Sequence, residues 1–243
     1  MEFRIFGGFM TSLDIILPVY NPLPGWEEIV SGRFQSLEKA LPSLKIRLFV
    51  VNDGSQTGNL DDSVPVLKTA IPDLQWISYS ENRGKGYALR QGVLQSTADF
   101  IVYTDIDWPY TEESMIGLIQ KLLDNVDAVI GTRNTAYYEH LPDARKRISK
   151  MLRAFNAKLL RLKVDDTQAG LKGFRKNVKP IFLSTTINRY LFDLEFIYLL
   201  SGKKEINVIG FPISLRPGIT FSKMNRKILF QEARNFLKIW WKS

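Results

Sequence analysis

The chain alternates short apolar segments with longer segments whose apolar residues recur at helical spacing, and this alternation limits the fold more than any other feature. The short segments are rich in β-branched residues and bounded by turn or polar residues, as buried strands are. They lie at 13–19, 46–52, 74–79, 100–104 and 128–131, with helical spacing at 26–41 and 115–122 and mixed patterns near 170–175 and 207–215. Strands that alternate with helices predict a doubly wound α/β fold with a parallel sheet.

The length and composition indicate one folding unit. With 243 residues and 45% hydrophobic content, the chain can bury one sizeable core. We expect a single domain over residues 10–216, preceded by a loose extension at 1–9. Residues 217–243 predict a basic amphipathic helix, with apolar residues on one face and cations opposite. Such a helix either lies in a membrane interface or packs its apolar face on the core.

Hydropathy and charge bound the location and the partners. No segment approaches the roughly 20 apolar residues of a membrane-spanning helix, and the N-terminus lacks a signal peptide's layout. We therefore expect a cytoplasmic protein. The net charge of +8 predicts an anionic partner, which is a nucleotide, a phospholipid surface or a nucleic acid. No recognisable nucleic-acid motif accompanies the charge, so we do not expect a nucleic-acid partner.

The scarcity of cysteine and histidine restricts the chemistry. The absence of cysteine rules out disulfides, thiolate nucleophiles and cysteine-ligated metals. The one histidine, His140, lies in a polar stretch and reads as an ordinary loop residue, which leaves no histidine cluster for zinc. Any metal must therefore be held by oxygen.

Two carboxylates one residue apart mark the candidate metal site. Asp105 and Asp107 follow the predicted strand at 100–104 and precede the loop Trp108-Pro109-Tyr110. Open α/β sheets bind ligands beyond the carboxyl ends of their strands, and Mg²⁺ or Mn²⁺ held by few protein oxygens keeps positions for substrate phosphates. A lone Asp-x-Asp is common by chance, so the neighbouring motifs decide its meaning.

Polar residues also follow the first two predicted strands. Strand one runs into Pro18, Tyr20 and Asn21, and strand two ends at Asp53, so both deliver polar groups to one edge of the sheet. Tyr20 can stack on a base, and the Asp53 carboxylate can accept an N–H from a pyrimidine or guanine ring. The competing interpretation of Asp53-Gly54 is a plain turn.

A glycine-rich basic segment follows strand three. Residues 81–87 place Arg83 and Lys85, two glycines and a helix N-terminus where a diphosphate can sit. The spacing is not that of a P-loop. A glycine-rich turn with solvated charges is the alternative.

The remaining polar motifs lie in the second half of the chain. They are Arg133, the basic run at 145–150, the segment at 165–172, and Asp193 with Glu195. A charge run is usually a solvated helix face, and Asp-x-Glu at a helix start is often only a favourable dipole contact. The order of the motifs favours a site, because a base pocket, a phosphate loop, metal carboxylates and acceptor-side groups follow one another at strand ends and loops.

With these motifs, the chain resembles the family 2 glycosyltransferases of the GT-A fold from about residue 14 to residue 213. Within that family it looks most like the branch of dolichyl-phosphate glucosyltransferases and dolichyl-phosphate mannose synthases. The matching segments are NRGKG at 82–86 with RQG at 90–92, DTQAGLK at 166–172 and RYLFDLE at 189–195. The resemblance implies a single domain with a Rossmann-like, mostly parallel mixed sheet flanked by helices.

The resemblance also implies roles for individual residues. The nucleoside would be held by Pro18, Tyr20, Asn21 and Asp53. The diphosphate and the metal would be held by Lys85, Asp105 and Asp107. The acceptor phosphate and the sugar would be contacted by Arg133, Arg145, Ser149 and Gln168. Pro109 stands where mannose synthases commonly carry Gln, which favours UDP-glucose over GDP-mannose as donor.

The predicted function is that of a metal-dependent inverting glycosyltransferase that moves a hexose from a nucleotide sugar to a polyprenyl phosphate at the cytoplasmic face of a membrane. Such an acceptor is already ionised, so Arg133 and Arg145 would bind and orient it without a general base. The first alternative is transfer to a sugar hydroxyl of a polysaccharide or glycolipid, with Asp193, ahead of Glu195, as the base. The second is a non-catalytic membrane-surface module that only binds a nucleotide.

Overall fold

A computed structural model of the chain describes residues 10–58, 60–133, 159–189 and 191–218. The strands in this part are β1 Thr11–Val19, β2 Leu44–Asp53, β3 Gln75–Tyr79, β4 Phe100–Tyr103, β5 Ala128–Arg133, β6 Lys172–Arg175 and β7 Val208–Ile213. The helices are α1 Trp26–Ala40, α2 Leu60–Ala70, α3 Lys85–Gln95, α4 Glu112–Leu123, α5 Lys179–Leu183 and α6 Phe192–Ser201, with a 3₁₀ turn at Lys176–Val178 before α5.

The five strands predicted from hydropathy are confirmed as β1 to β5, with ends that differ by one or two residues. The helical spacing at 26–41 and 115–122 is confirmed as α1 and α4. Helix α2 was not predicted, because its segment contains two aspartates and Pro65, which weaken a helical pattern. Strands β6 and β7 fall in the two segments where the pattern was mixed.

All seven strands join one sheet in the order β3-β2-β1-β4-β6-β5-β7. Strand β6 runs antiparallel to β4 and β5, and the other pairs are parallel, which confirms the mostly parallel mixed sheet. The chain moves outward from β1 to β3 and then returns through α3 to β4, on the other side of β1. The carboxyl ends of β1 and β4 therefore flank a topological switch point, where open α/β sheets bind ligands.

Helices cover both faces of the sheet. Side chains of α1, α2 and α4 pack on one face, and side chains of α3, α5 and α6 pack on the other. The second face contains a group of rings in contact with one another, formed by Tyr103, Phe174, Phe182, Phe192 and Phe196. Within the described residues, no helix combines the length and the apolar character needed to cross a bilayer.

A buried ion pair stabilises the end of the sheet opposite the switch point. Asp14 on β1 is fully buried and accepts two hydrogen bonds of 2.8 Å from the Arg47 guanidinium on β2. The Ser96 hydroxyl, just beyond α3, donates to the same carboxylate at 2.6 Å. Because both donors meet at the Asp14 carboxylate, these contacts fix β1, β2 and the end of α3 relative to one another, far from the polar groups at the other edge.

Candidate functional site

Asp105 and Asp107 lie just past the carboxyl end of β4, at the switch point. The next residue, Trp108, is buried and has a φ of 46°, a backbone conformation that bulky residues rarely adopt. Its N–H donates to the main-chain oxygen of Asp105 at 3.0 Å, which closes a tight turn. Partial burial and the neighbouring Asp105 carboxylate raise the pKa of Asp107, as expected when two negative charges share a small volume.

A segment after β7 holds this turn in place. The N–H of Arg216 donates to the Pro109 oxygen at 2.9 Å, and the Thr111 N–H donates to the Ser214 oxygen at 3.0 Å. The Arg216 guanidinium donates to the main-chain oxygens of Trp108 at 2.7 Å and Asp107 at 2.8 Å. These bonds fix the backbone of the turn from outside.

Lys85, the first residue of α3, forms an ion pair with Asp105: its ammonium donates to one carboxylate oxygen of that residue. Burial lowers the pKa of Lys85, but the carboxylates of Asp105, Asp193 and Asp107 outweigh burial and raise it. The ammonium therefore remains charged beside the predicted metal ligands. Both side chains keep access to solvent, with 30% of Lys85 and 39% of Asp105 exposed.

Gly170 borders the other oxygen of Asp105. A Cβ at position 170 would lie 2.3 Å from that oxygen, so only glycine leaves room for the carboxylate. The Gly170 N–H donates to the Tyr110 hydroxyl at 2.6 Å, which ties the segment before β6 to the turn after β4. The space around Asp105 is thus shaped by the main chain of the 169–170 segment.

The Asp53 carboxylate holds the loop before α3. It is buried and accepts hydrogen bonds of 2.8 Å from the Tyr79 hydroxyl, the Asn82 amide, and the N–H groups of Arg83 and Gly84. A carboxylate has about four acceptor positions, and these donors occupy them. The structure therefore gives Asp53 a role in positioning the loop, whereas the sequence suggested contact with a nucleobase.

A second loop supports the start of α3. A Cβ on Gly84, which has a φ of 101°, would lie 2.5 Å from the Asn188 oxygen, and the Gly86 N–H donates to that same oxygen at 2.8 Å. Glu195 holds the second loop: its two oxygens accept from the Thr186 N–H and hydroxyl and from the Ile187 N–H at 2.7–2.8 Å. Glu195 is buried and engaged with this loop rather than directed at Lys85 and Asp105.

The residues predicted for the nucleoside lie where β1 ends. Pro18 is the penultimate residue of β1, and Tyr20 is half exposed just beyond it. Asn21 has a φ of 46°, and its side-chain oxygen accepts from the N–H groups of Gln56 at 2.8 Å and Thr57 at 3.2 Å. A groove of about 550 Å³ opens between that loop, α2 and β3. It is lined by Asn52, Ser55, Gln56, Thr57, Leu60, Val64, Pro65, Trp76 and Ser78.

Asp193 lies at the first turn of α6 in a buried polar cluster. Its carboxylate accepts from the Tyr103 hydroxyl at 2.7 Å and pairs with the Lys172 ammonium at 2.8 Å. Lys172 is fully buried and also donates to the Ala169 oxygen. Burial lowers the pKa of Lys172, with Asp193 opposing that shift, and burial beside Asp193 raises the pKa of Tyr103. The Asp193 carboxylate is thus committed to internal partners.

Arg133 is also paired within the protein. Its guanidinium forms a bidentate contact with the fully buried Asp166, with a nitrogen–oxygen distance of 2.8 Å in the ion pair. Gln168 is exposed, and its N–H donates to Asp166 at 3.3 Å, so these residues form one group at the end of β5. Arg145, Ser149, His140, the extension at 1–9 and nearly all of the predicted C-terminal helix lie outside the described residues.

The residues present fit a divalent cation held by few protein ligands. In the described ranges, no three His, Cys, Asp or Glu side chains are grouped around one point, so these residues offer a cation the pair Asp105 and Asp107. Mg²⁺ is commonly bound through one or two carboxylates together with substrate phosphates. The Lys85 ammonium on Asp105 shows that this carboxylate accommodates a positive charge.

Sequence reasoning missed three residues of this region. In the sequence, Arg216 is a single arginine after a strand and belongs to no motif. Its contact with the turn at 107–109 depends on how β7 packs in the fold. Lys172 was quoted within a motif but given no role, since a lysine inside a strand is seldom fully buried. Tyr110 was read only as part of a loop, although an aromatic residue with a hydroxyl directly after the carboxylates was an available signal.

Known proteins resemble the chain in sequence and in fold. The Drosophila melanogaster dolichyl-phosphate beta-glucosyltransferase is 26% identical over 206 residues, covering 79% of this chain and 63% of that protein. The Pyrococcus furiosus dolichol-phosphate mannosyltransferase is 24% identical over 230 residues, covering 93% of this chain and 63% of that protein. The chain thus spans less than two thirds of the length of these relatives.

A solved structure shows the same fold. The mannosyltransferase PcManGT of Pyrobaculum calidifontis, determined with GDP-Man and Mn²⁺, superposes with a TM-score of 0.54 at 17% identity, covering 84% of this chain and 56% of that one. The likeness confirms the GT-A fold. The sequence profile described as Glycosyl transferase family 2 matches residues 14–181, which is well over half of the chain. The chain therefore belongs to glycosyl transferase family 2.

Proposed function

We propose that the protein is a metal-dependent inverting glycosyltransferase that moves a hexose from a nucleotide sugar to a polyprenyl phosphate. The observation that carries this proposal is the cluster of Asp105, Asp107 and Lys85 at the switch point of the sheet. Two carboxylates and one ammonium at this place suit a metal-bound diphosphate. Membership of the family supports the reaction class.

In this proposal each part of the site has a role in binding the donor. Asp105 and Asp107 would hold Mg²⁺ or Mn²⁺, which neutralises the charge that builds on the departing nucleoside diphosphate. Lys85 would contact the diphosphate from the start of α3, where the helix dipole also favours negative charge. Asp53 would act through the loop it holds, by fixing the position of Lys85 relative to Asp105.

The nucleoside would lie near the end of β1. Tyr20 is exposed and free to stack on a base, while Pro18 and Asn21 shape the backbone beneath it. The groove beside the 55–57 loop has the size of a small-molecule site, since such sites span about 300–1,000 Å³. The name of the Drosophila relative and the Pro109 position favour UDP-glucose, and the name of the Pyrococcus relative keeps GDP-mannose as the second donor.

The contacts that the buried carboxylates of Asp193 and Glu195 already make favour a phosphate acceptor. A general base must be within hydrogen-bond reach of the proton it takes. Asp193 is paired with Lys172 and Tyr103, and Glu195 is bonded to the loop at 186–187. A phosphate monoester is already ionised near neutral pH, so its oxygen can attack C1 in line without losing a proton, which inverts the anomeric centre. Arg133, Arg145, Ser149 and Gln168 would surround this acceptor and the sugar at a membrane surface.

Transfer to a sugar hydroxyl is the second candidate, and one observation favours it. Asp193 pairs with Lys172, which donates to the Ala169 oxygen, and the next residue, Gly170, lies against Asp105, so the Asp193 carboxylate is near the reacting centre even though it is paired. In that reaction Asp193 would leave Lys172 to accept the hydroxyl proton. A nucleotide-binding module without catalysis is the remaining alternative.

The test is transfer of labelled sugar from UDP-glucose, with GDP-mannose in parallel, to a short polyprenyl phosphate, with and without Mn²⁺ or Mg²⁺. Metal-dependent labelling of the lipid, lost in Asp105→Asn, is the expected result. Labelling of a sugar hydroxyl but not of the lipid phosphate would select the second candidate. Nucleotide binding with no transfer to any acceptor would leave the non-catalytic module.

A further inference from the structure

Lys85 occupies the carboxylate that the proposed function assigns to the metal. Its ammonium is bonded to one oxygen of Asp105, and the other oxygen of that carboxylate lies against Gly170. Within the described ranges, Lys85 is the residue that forms an ion pair with Asp105. A divalent cation on Asp105 and the ammonium of Lys85 on the same carboxylate would repel each other at short range.

The main chain of Lys85 is fixed, so only its side chain can move. The preceding Gly84 donates its N–H to Asp53, and the following Gly86 donates its N–H to the Asn188 oxygen, both at 2.8 Å. Glycine at both positions lets the loops pack so closely that a Cβ at either one would overlap with the 187–188 main chain. The lysine side chain, by contrast, is 30% exposed and has rotatable bonds along its whole length.

Nearby cations and anions determine what happens when Lys85 leaves Asp105. Lys172 is a fully buried lysine of this region, and it is held by Asp193 and the Ala169 oxygen. It therefore does not replace Lys85 on Asp105. Without Lys85, Asp105 would lose its ammonium partner beside the carboxylate of Asp107, which disfavours departure of the ammonium unless a new anion receives it.

We infer that Lys85 is an internal cation that holds the place of the metal on Asp105 until the diphosphate of the donor draws the ammonium away. This inference rests on the proposed function and adds an order of events to it. The diphosphate gives Lys85 a new partner and brings oxygen ligands for the metal. Metal and nucleotide then bind with positive coupling, and each raises the affinity of the protein for the other by the same factor.

The experiment measures Mn²⁺ binding to the whole chain by electron paramagnetic resonance, without nucleotide and with saturating UDP or GDP. For the natural protein we expect weak binding alone and a gain of about tenfold or more with the matching nucleotide, a typical size for coupling between sites. Lys85→Met should bind Mn²⁺ about tenfold more tightly than the natural protein without nucleotide, and should lose most of the gain. Lys85→Arg, which keeps the charge, should retain weak binding without nucleotide.

Two results separate this inference from the proposed function. Unchanged or weaker Mn²⁺ binding by Lys85→Met without nucleotide would overturn the inference and leave the metal site intact. If Asp105→Asn binds Mn²⁺ as the natural protein does, the metal is elsewhere and the proposed function fails instead. Thermal unfolding of each variant confirms that the fold is retained, and the exposure of both side chains makes that the expected outcome.

Discussion

The guanidinium of Arg216 donates to the main-chain oxygen of Asp107, so a residue after the last described strand fixes the backbone that presents a predicted metal ligand. The same group donates to the oxygen of Trp108, whose φ of 46° is a strained conformation. Strain of this kind costs about 1–3 kcal/mol and persists only where surrounding contacts enforce it. Arg216 supplies two of those contacts.

Replacing Arg216 by Met should therefore weaken metal binding. Without its two charge-assisted bonds the turn at 107–109 can relax, and we expect an affinity for Mn²⁺ that is about tenfold lower in the presence of UDP. The activity of Arg216→Met should recover at high metal concentration, because the ligands themselves are unchanged. Arg33→Met is the matched control, since Arg33 and Arg216 both line a cavity of about 450 Å³. A raised KM for the donor with unchanged metal affinity would contradict the positioning role.

Gly170→Ala should reduce turnover without unfolding the protein. The new Cβ would meet the Asp105 carboxylate at 2.3 Å, so that carboxylate must rotate away from its position. Misplacing a group by about 1 Å can cost a hundredfold in rate. Sugar transfer and thermal unfolding should be measured together, with Gly32→Ala as the control, because a Cβ on Gly32 meets no atom within 4 Å. Full activity in Gly170→Ala would show that the position of Asp105 is not critical.

Asp53→Asn should lower nucleotide affinity and stability together. The carboxylate accepts four hydrogen bonds, and an amide would direct its own NH₂ group at two of those donors. We expect a loss of about 2 kcal/mol in the free energy of unfolding, since buried polar groups would lose their partners. Calorimetry with UDP gives the affinity, and Asp73→Asn at an exposed turn is the comparison. Weakened nucleotide binding at unchanged stability would instead favour direct contact between Asp53 and the base.

Asp193→Asn should destabilise the protein yet leave transfer to a lipid phosphate. The substitution leaves the fully buried Lys172 without its carboxylate, and breaking a buried pair costs about 3–5 kcal/mol. Tyr103→Phe removes one hydrogen bond to the same carboxylate and should cost about 1 kcal/mol. Transfer is assayed below the midpoint of thermal unfolding. Loss of transfer in Asp193→Asn with intact fold and donor binding would assign Asp193 as a base and favour a hydroxyl acceptor.

Arg47→Met tests the opposite end of the sheet. Asp14 is fully buried, and the substitution leaves Ser96 as its remaining side-chain donor. We expect about 2 kcal/mol of destabilisation, below the usual range for a buried pair because 28% of the Arg47 side chain is exposed. Donor binding should remain unchanged. The double variant Asp14→Leu with Arg47→Met should regain stability, and an equal or larger loss would show that the pair itself is not the cause.

The sequence predicted most of the fold because hydropathy is a local property. Strands β1 to β5 each fall on a short segment rich in apolar residues, and the position of Asp105 after one of them located the site. The direction of β6 was not predictable in the same way. That strand is short, contains Gly173 and the buried Lys172, and pairs with β4 and β5 from distant parts of the chain. Its antiparallel direction is a property of the sheet rather than of its own residues.

Which residues lie in the site was easier to predict than which of them contact one another. Asp53, Asp193 and Arg133 were selected for their charge, and each lies near a strand or helix end, as expected. The structure shows that all three charges are engaged by other residues of the chain, namely the loop at 79–84, Lys172 and Asp166. Charge type is visible in a sequence, but the pairing of charges depends on distances across the fold.

The contact between Gly84 and Asn188 has a consequence for redesign. The loop before α3 and the loop before α6 touch through main-chain atoms, and the Arg189 side chain also lies against Gly84. Arg90 on α3 also donates to the Ile187 oxygen at 3.0 Å, so the two loops share a second link. If residues 81–86 alone were replaced by the corresponding loop of a relative, the new loop would have a surface that fits the second loop of that relative rather than residues 185–189 of this protein. An exchange of specificity therefore requires residues 81–86 and 185–189 to be transferred as one unit.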